Sequence, residues 1–385
     1  MDNAIASRGF KAGHGVSKQL DSGAATVRIS DCSSPVSTFD LLFTHVLSFA
    51  SGGLRMRAKT ILVTGGTGAV GPRIVEALVA EGYAVRILAL DAPGAGTLPA
   101  GVEWRAGSVT DPDIVREAVQ GCEGVIHMAA LLHIVNPEPA LRARYEAVNV
   151  GGTRTVLEAA QTAGVQRVVF FSTIAVYGYG QRGGQTEILT ETSVCQPDTF
   201  YGETKLAAEK LVLEARRTDG VPQGTILRMG AIYGAGIKGN YRKLALALAK
   251  HRFIPVGRGE NRRSLVYDRD VAAATVLALR APQAAGQVYN VTDNCFHTLD
   301  EIIRAICEAL GRRPPCVRIP LSMARLAAGS ADLLLRLVGK RPVMRAAVDK
   351  YVEEVMVSGE KIRRELGFVP KYSLREGWRE CVKQF

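Results

Sequence analysis

Residues 64–71 read TGGTGAVG and follow directly on a short apolar run, Thr60–Thr64, that has the length of a buried β-strand. Glycines at this spacing let the backbone turn tightly and approach a pyrophosphate, whose negative charge the free N–H groups at a helix N-terminus stabilise. The segment therefore predicts a dinucleotide-binding turn between a strand and a helix. The predicted cofactor contacts in it are Gly65, Thr67, Gly68, Ala69, Val70 and Gly71.

Apolar runs and helical periods alternate beyond this turn. Further strands are predicted at 84–90, 124–128 and 168–171, and helices at 73–80, 113–119 and 150–163. Such alternation is typical of an α/β fold in which helices cover both faces of a parallel sheet. We expect a Rossmann-type, doubly wound sheet followed by a smaller C-terminal lobe.

The expected domain organisation has three parts. Residues 1–55 are rich in Ser, Gly and Ala without periodicity, and we expect a disordered extension or a start codon set upstream of the true one at Met56. The dinucleotide-binding domain is predicted to span 56–228, with 264–292 returning to it. The substrate-binding lobe is predicted to consist of 229–263 and 293–385.

The composition is that of an ordinary globular protein, with 47% hydrophobic and 22% charged residues among 385. No run reaches the roughly 18 apolar residues that cross a bilayer, and the apolar run 41–50 lacks the flanks of a secretory signal. We therefore expect a cytoplasmic protein without an integral membrane span. The seven cysteines show no CxxC pair or Cys/His spacing typical of zinc, so no metal is predicted.

Basic residues outnumber acidic ones, 48 against 37, which gives a formal net charge of +11. The excess lies mainly beyond residue 310, where it would attract an anionic ligand or an acidic membrane surface. Solvated helix faces are the more ordinary explanation of such stretches. Because basic and aromatic residues are not interleaved, we expect no nucleic-acid partner.

One segment of the lobe, 321–337, predicts an amphipathic helix because its polar residues recur every three or four positions. We expect it to cover the protein's own core. A dimer face, an apolar substrate wall and a membrane surface are the alternatives. The wide apolar face comprises Leu321, Met323, Leu326, Ala327, Leu333, Leu334 and Leu337.

A second motif places Tyr201 and Lys205 four residues apart, on one face of a predicted helix. The preceding strand, 168–171, delivers Ser172 and Thr173 to the carboxyl edge of the sheet, where ligands of open parallel sheets bind. A free tyrosine has a pKa near 10, and a neighbouring ammonium favours the phenolate. We therefore predict that Tyr201 transfers a proton, that Lys205 lowers its pKa, and that Thr173 holds the substrate oxygen.

Together these motifs resemble the extended short-chain dehydrogenase/reductase superfamily, and within it the NAD-dependent epimerase/dehydratase family. The resemblance runs from about Lys59 to the C-terminus, and motifs in this order are highly specific for the superfamily. It implies an NAD(P)-dependent oxidoreductase or epimerase that acts on a secondary alcohol or ketone. The motifs are TGGTGAVG, HMAA at 127–130, NVGGT at 149–153, STIAVYG at 172–178, YGETK at 201–205 and LRMGAIYG at 227–234.

The resemblance also assigns roles to individual residues. It implies that Thr173, Tyr201 and Lys205 form the catalytic group and that Lys205 also binds the cofactor. Ala129 is expected beside the cofactor, and Met229 near the nicotinamide face, where proline is frequent in the family. A homodimer formed through a pair of helices is implied as well.

Two departures from the family pattern bear on the chemistry. Ser108 stands where an Asp usually faces the adenine. The residues after the catalytic Thr are Ile174 and Ala175, whereas nucleotide-sugar 4,6-dehydratases have Asp-Glu there. Because no acid is available to expel water, dehydration of that kind is not expected. Asn149 is expected to brace the site.

The nicotinamide cofactor is predicted to be NAD. The second strand ends in Ala89-Leu90-Asp91, and an acidic residue at this place holds the ribose hydroxyls and disfavours a phosphate. Asp91 comes slightly late in the strand, so NADP stays open as an alternative.

Three hypotheses for function follow. Arg262 and Arg263 lie in a segment similar to the one with which nucleotide-sugar epimerases and reductases contact a diphosphate, and they predict an anionic nucleotide sugar as substrate. The alternative is a 3-beta-hydroxysteroid or sterol-type dehydrogenase, which the apolar segment 321–337 favours. A catalytically silent dinucleotide-binding protein is the third hypothesis, and the intact Tyr201 and Lys205 argue against it.

Overall fold

The computed structural model describes residues 58–132, 134, 137–178, 187–237 and 239–383. The predicted extension, residues 1–55, lies outside the described residues. The strands are β1 (Thr60–Thr64), β2 (Ala84–Ala89), β3 (Glu103–Ala106), β4 (Cys122–His127), β5 (Arg167–Thr173), β6 (Gly224–Met229), β7 (Ala231–Tyr233), β8 (Arg262–Arg263), β9 (Leu265–Tyr267), β10 (Val288–Val291) and β11 (His297–Thr298).

The α-helices alternate with these strands in the first half of the described chain and dominate the second half. A π-helical turn, Glu146–Gly151, joins two of them. The helices are α1 (Gly71–Ala80), α2 (Pro112–Val119), α3 (Leu141–Tyr145), α4 (Gly152–Thr162), α5 (Phe200–Glu214), α6 (Asn240–Ala249), α7 (Asp268–Arg280), α8 (Leu299–Ala309), α9 (Leu321–Leu337), α10 (Met344–Val352), α11 (Glu360–Leu366) and α12 (Leu374–Val382).

Seven parallel strands form one sheet in the order β10-β6-β5-β4-β1-β2-β3. Strand β6 is buried along its whole length, and β1, β4 and β5 are buried almost throughout. Continuous burial is typical of parallel strands that helices cover on both faces. The Rossmann-type, doubly wound fold predicted from the sequence is therefore confirmed.

Strand β3 has no counterpart among the strands predicted from the sequence. It lies at the edge of the sheet, and Glu103, Trp104 and Ala106 are exposed. A charged residue at this edge, Glu103, accepts a hydrogen bond of 2.7 Å from Nε of Arg86 on the neighbouring strand. An edge strand needs no apolar run, because only part of its surface is covered.

The strand order reverses between the neighbouring strands β1 and β4, which is the switch point of the sheet. Strand β1 pairs with β2 on one side and with β4 on the other, so β2 and β3 lie on one side and β4, β5 and β6 on the other. Ligands of open α/β sheets bind at the carboxyl ends of the strands at this point. The fold thus defines where the site has to be sought.

A second hydrophobic core lies beyond the large sheet. The short strands β7 and β9 pair in parallel, and β8 pairs antiparallel with β11. Helices α6, α8 and α12 enclose this core, in which Tyr233 stacks on Trp378 with 5.3 Å between ring centroids. Strand β10 returns to the large sheet beside β6, and the described residues from 58 onward belong to one compact unit. The boundaries 56–228, 229–263, 264–292 and 293–385 stay a proposal.

The segment 321–337 forms the predicted helix, α9, but it does not cover the protein's own core. Ala328 is its one buried residue, and the five large apolar residues of its outer face are each 60% or more exposed. The expectation of a core-covering helix is therefore wrong. These residues are Met323, Leu326, Leu333, Leu334 and Leu337. In the part of the chain that the structure describes, no helix is both long and apolar enough to span a membrane.

Close approach of the backbone to itself explains one glycine of the nucleotide turn. A Cβ atom placed on Gly71 would lie 1.9 Å from the carbonyl oxygen of Gly66, far inside van der Waals contact. Only a residue without a side chain allows helix α1 to begin against the turn in this way.

We predict that Gly71→Ala lowers the free energy of unfolding by more than about 4 kcal/mol, because the clash is with backbone atoms that cannot move aside. Gly329→Ala in the exposed helix α9 is the matched control, since its Cβ would meet no atom within 4 Å. The control should raise stability by up to about 1 kcal/mol. Urea unfolding of both variants measures the difference, and equal stabilities would contradict the prediction.

Candidate active site

The glycine-rich turn is shaped to accept a phosphate group. Gly65 has a φ of +72°, and a Cβ there would lie 3.0 Å from the backbone of Ala129. A Cβ on Gly68 would lie 3.1 Å from the carbonyl oxygen of Gly65. The first turn of α1 carries no acidic side chain that would repel an anion at the helix N-terminus. These residues fit the pyrophosphate of a dinucleotide.

A cavity of about 430 Å³, which we call the cofactor cavity, opens at the carboxyl ends of β1, β2, β4, β5 and β6. Every residue predicted from the sequence to contact the cofactor lines it. Ser108, which replaces the usual Asp, lines it as well and hydrogen-bonds Thr110. The predicted residues in the wall are Gly65, Thr67, Gly68, Ala69, Val70, Gly71, Asp91, Ala129, Lys205 and Met229.

Thr173, Tyr201 and Lys205 meet at the wall of this cavity. Thr173 is the last residue of β5, and its hydroxyl accepts a hydrogen bond of 3.2 Å from the backbone N–H of Ala175. Thr199 caps α5 by accepting 3.1 Å from the N–H of Gly202, which places Tyr201 in the first turn. Thr173 and Tyr201 are joined by a side-chain hydrogen bond.

Lys205 lies one turn further along α5 and is fully buried. Its ammonium nitrogen sits 3.8 Å from the centroid of the Phe170 ring, a cation–π contact within the protein interior. The side chain is therefore held against β5, and it also lines the cofactor cavity.

The protonation of the pair differs from the expectation that Lys205 lowers the pKa of Tyr201. Burial raises the pKa of Tyr201 to about 12, although its hydrogen bond to Thr173 acts in the opposite direction. Burial likewise lowers the pKa of Lys205 to about 7, against the attraction of Glu209. A low-dielectric surrounding disfavours the charged form of both groups, and in each it is the largest cause of the shift.

A buried ion pair lies beneath the site. Glu209 on α5 accepts three hydrogen bonds from Arg228 on β6, one of 2.7 Å from Nη2 and two of 3.0 and 3.2 Å from Nε. Ser172 on β5 donates its hydroxyl proton to the same carboxylate. Arg228 also donates to the hydroxyl of Tyr177 at 3.0 Å, and Tyr177 donates to Asn290 at 2.8 Å. This network ties α5 to strands β5, β6 and β10.

Asn149 has the bracing position that the resemblance implies. Its side-chain amide accepts a hydrogen bond of 2.7 Å from the N–H of Leu131 and donates 3.1 Å to the hydroxyl of Thr204 on α5. The loop after β4 and the helix that carries Tyr201 are thereby linked through one buried side chain.

His127 at the end of β4 is a packing residue between two threonines. Its Nδ1 lies 2.7 Å from the hydroxyl of Thr64 and its Nε2 lies 3.0 Å from that of Thr153. Burial, with the charge of Lys205 adding to it, lowers the pKa of His127 to about 3, so the imidazole is neutral near pH 7.

A second cavity of about 690 Å³, which we call the substrate cavity, adjoins the first and shares Thr173, Tyr201, Met229 and Gly230 with it. Its outer wall comes from α6, α10 and the segments beside β7 and β9. Sequence reasoning missed these lobe residues, because they come from separate segments and carry no motif. They include Ala231, Tyr241, Leu244, Phe253, Ala347, Tyr351 and Val355.

The structure separates the two arginines predicted to bind substrate. Arg263 lines the substrate cavity, but its Nη2 donates to the carbonyl oxygens of Lys350 at 2.7 Å and Tyr351 at 3.2 Å. Nη1 of Arg263 lies 3.8 Å from the Glu353 carboxylate. Arg262 is exposed and is not among the lining residues. Their role in substrate binding stays a prediction.

One cluster of ligand-type side chains escaped the sequence analysis. Asp293, Cys295 and His297 bring one potential metal ligand each to within 4.8 Å of one another. Asp293 lies 2.7 Å from Nε2 of His297 and accepts 3.0 Å from the N–H of Cys295. These hydrogen bonds account for the conformation of the loop, and the absence of a metal requirement stays a prediction.

The pyrophosphate cradle and a Thr-Tyr-Lys group open into one cavity at the switch point of a doubly wound sheet, an arrangement that defines a dinucleotide-dependent oxidoreductase. Residues 61–292 match the model of the NAD dependent epimerase/dehydratase family, and the chain belongs to this family. It is an NAD-dependent enzyme of the extended short-chain dehydrogenase/reductase type.

Two curated relatives illustrate the range of substrates. Over 336 residues the chain is 33% identical to a 3 beta-hydroxysteroid dehydrogenase/Delta 5→4-isomerase of Mycobacterium tuberculosis, covering 84% of this chain and 90% of that protein. It is 28% identical over 319 residues to the N-acetyl-alpha-D-glucosaminyl-diphospho-ditrans,octacis-undecaprenol 4-epimerase of Escherichia coli O157:H7, covering 82% and 92%. Both steroid and sugar-diphosphate enzymes are thus similar to this chain.

A solved structure agrees on fold and cofactor. The chain superposes with a TM-score of 0.64 on a short-chain dehydrogenase/reductase superfamily protein from Agrobacterium tumefaciens with bound NAD, at 27% identity. The match covers 84% of this chain and 96% of the other.

We predict that Glu209→Gln lowers the free energy of unfolding by about 3–5 kcal/mol, because it leaves the buried Arg228 without a compensating charge. Glu214→Gln, at an exposed position of the same helix, is the control and should change stability by less than about 0.5 kcal/mol. Chemical denaturation followed by circular dichroism measures both. A Glu209→Gln variant as stable as its control would show that the pair does not hold α5 in place.

We predict that the stability of the parent relative to Lys205→Met rises with pH above about 7. The folded protein then releases the proton of Lys205, whereas the unfolded chain keeps it up to the ordinary pKa of 10.5. The unfolded state therefore binds more protons in this window, and the slope is at most about 1.4 kcal/mol per pH unit. Paired unfolding titrations across the window measure it, and a difference independent of pH contradicts the lowered pKa of Lys205.

Proposed function

We propose that the enzyme interconverts a secondary alcohol and a ketone on a largely apolar, steroid- or terpenoid-like molecule, with NAD as the hydride carrier. The observation that carries the proposal is the character of the substrate cavity where it meets Tyr201. Its wall is formed mainly by apolar and aromatic side chains, among them Ile174, Leu244, Phe253 and Val355. An apolar ring system gains free energy when it is buried against such side chains.

The state of Arg263 supports an apolar substrate. Two backbone carbonyls and a nearby carboxylate already occupy its guanidinium group, so a diphosphate would have to displace them. Displacement would deprive the Glu353 carboxylate, which burial already disfavours as a charged group, of the attraction of Arg263. The contacts of Arg263 therefore favour a substrate that needs no ion pair or hydrogen bond from this side chain.

In the proposed mechanism the substrate oxygen lies between the hydroxyls of Thr173 and Tyr201, which share a hydrogen bond in the structure. Bound NAD supplies the chemistry of hydride transfer at the carbinol carbon. Tyr201 donates its proton to the ketone oxygen during reduction and takes it back during oxidation. Because burial keeps the phenol protonated near pH 7, Tyr201 is ready to act as the proton donor.

In this mechanism Lys205 would donate protons to the phenol of Tyr201 and accept protons from it. Burial brings its pKa to about 7, so both of its protonation states are available near neutral pH. Asp91, which lines the cofactor cavity beyond β2, would hold the ribose hydroxyls, and the glycines of the turn would hold the pyrophosphate.

A nucleotide or lipid-linked sugar diphosphate is the second candidate substrate. Lys243 and Lys350 line the substrate cavity, and cationic side chains at its wall would attract a diphosphate. The similarity to the Escherichia coli epimerase named above supports the same class. For such a substrate the keto form would be an intermediate, and hydride would return to the other face of the ring.

The test is thermal unfolding of the full chain saturated with NAD, because only a ligand that binds the folded state raises the midpoint. We expect soluble 3-hydroxysteroids to raise the midpoint and UDP- and dTDP-sugars to leave it unchanged. Stabilisation by the sugars alone would overturn the proposed substrate class and favour the diphosphate candidate. Stabilisation by NAD itself is the control for a competent cofactor cavity.

We predict that Tyr201→Phe lowers turnover of the accepted substrate by about 10²–10⁴-fold while NAD still stabilises the protein, because the variant removes only the proton-transfer hydroxyl. Tyr83→Phe, outside both cavities, is the matched control and should retain parental turnover. Steady-state assays compare the two variants. They follow hydride transfer through the absorbance of NADH at roughly 340 nm. Parental turnover of Tyr201→Phe would remove Tyr201 from the mechanism.

A further inference from the structure

Helix α9 presents apolar side chains both toward α10 and to solvent. Ala327, Ala328 and Ala331 line a cavity of about 390 Å³ together with residues of α10. The outer face points to solvent with Met323, Leu326, Leu333, Leu334 and Leu337. Surface helices of globular proteins usually turn a polar face outward, so the outer face needs an explanation.

The exposed apolar residues lie along one side of the helix, in two groups with Ser330 between them. At 100° per residue, positions 323, 326, 333, 334 and 337 fall within a sector of about 100° on the side opposite Ala328. The helix of 17 residues gives this strip a length of roughly 25 Å. We call it the α9 strip. Val338, which is also exposed, continues it beyond the end of the helix.

Positive charge surrounds the α9 strip. Residues 312–350 contain nine arginine and lysine residues and two aspartates, so this segment carries most of the net charge of +11. Arg336, Lys340, Arg341 and Arg345 follow the strip at its C-terminal end and are exposed. None of these four forms a salt bridge with another described residue, which leaves their charges available to a partner.

The strip is held in place before any partner binds. Arg325 on α9 forms a salt bridge of 2.9 Å with Asp349 on α10. The carboxylate of Asp332 accepts hydrogen bonds from the backbone N–H groups of Met344 at 2.8 Å and Arg345 at 3.0 Å. Both aspartates of the segment are thus used inside the α9–α10 hairpin. The outer face needs no folding step to present its leucines.

We infer that the α9 strip docks on the surface of a bilayer that contains anionic lipids, with its leucines in the acyl boundary and the basic residues at the headgroups. An apolar helix face bordered by Lys and Arg has the chemistry of an interfacial helix. A second copy of the chain fits less well, because a symmetric contact through the strip brings two strongly basic segments together. The surface, and not the substrate, carries this inference, so it stands apart from the proposed function.

Its location gives the docking a use. Ala347 and Tyr351 of α10 line the substrate cavity, so the hairpin that carries the strip also forms part of that cavity's wall. Docking would bring the wall of the cavity close to the membrane. An apolar substrate dissolved in that membrane could then pass from it into the cavity. Tyr351 belongs to both the substrate cavity and the small cavity behind α9.

The test is flotation of the full chain with vesicles of phosphatidylcholine alone or mixed with phosphatidylglycerol. We expect binding to the mixed vesicles that weakens as salt is raised. The double variant Leu333→Ser, Leu334→Ser should lower the partition coefficient roughly tenfold or more, because it removes two leucines from the acyl boundary. Val369→Ser, an equally exposed apolar position outside the hairpin, is the matched control and should bind like the parent.

A charge variant separates the electrostatic part. Lys340→Glu with Arg341→Glu should reduce the preference for phosphatidylglycerol by about fivefold or more per charge, while leaving residual binding through the leucines. Because all substituted side chains are exposed, the thermal midpoint and its increase with NAD should match those of the parent, which confirms an intact fold.

Three results would overturn the inference. Failure of the parent to float with either kind of vesicle removes membrane docking altogether. Equal binding by the parent and the Leu333→Ser, Leu334→Ser variant shows that another part of the chain binds lipid. Sedimentation of the parent as a dimer that the same variant dissociates, without vesicle binding, assigns the strip to a second copy instead. Each of these outcomes leaves the proposed substrate class untouched, since that rests on ligand-induced stabilisation.

Discussion

The buried ion pair between Glu209 and Arg228 is the interaction on which the geometry of the site depends. It joins α5, which carries Tyr201 and Lys205, to β6, which ends at Met229. The hydroxyl of Ser172 adds β5 to the same carboxylate. Because α5, β5 and β6 all meet at one desolvated ion pair, a displacement of any of them would expose or unpair a buried charge. The positions of Thr173, Tyr201 and Lys205 are therefore maintained by this buried network and not by the loops.

The same desolvation sets the protonation of the site. Tyr201, Lys205 and His127 all have pKa values displaced toward their neutral forms, and burial is the largest cause in each. Neutral forms of these three side chains are compatible with an apolar substrate and with a hydride carrier that works best where water is excluded. Residues 312–350, around α9, carry most of the net positive charge of the chain.

The sequence predicted the nucleotide-binding half of the fold well. The glycines of residues 64–71, the alternation of strands and helices and the Tyr201–Lys205 spacing are local patterns, and all of these residues line one cavity. The edge strand β3 was missed because it is largely exposed and so has no apolar run that hydropathy could detect. The helix α9 was predicted correctly, but its partner was not, because periodicity reveals an apolar face without revealing what covers that face.

The sequence by itself determined the family, the cofactor and the glycine-rich turn that lines the cofactor cavity, because close backbone approach and helix-terminal N–H groups demand particular residues at particular spacings. Tertiary structure alone decided the rest. It occupied Arg263 with the carbonyls of Lys350 and Tyr351, nearly 90 residues away, and it built the substrate cavity from segments that carry no motif. It also reversed the expected effect on Tyr201, since the pKa of a side chain depends on how deeply the whole fold buries it, and no local pattern encodes that depth.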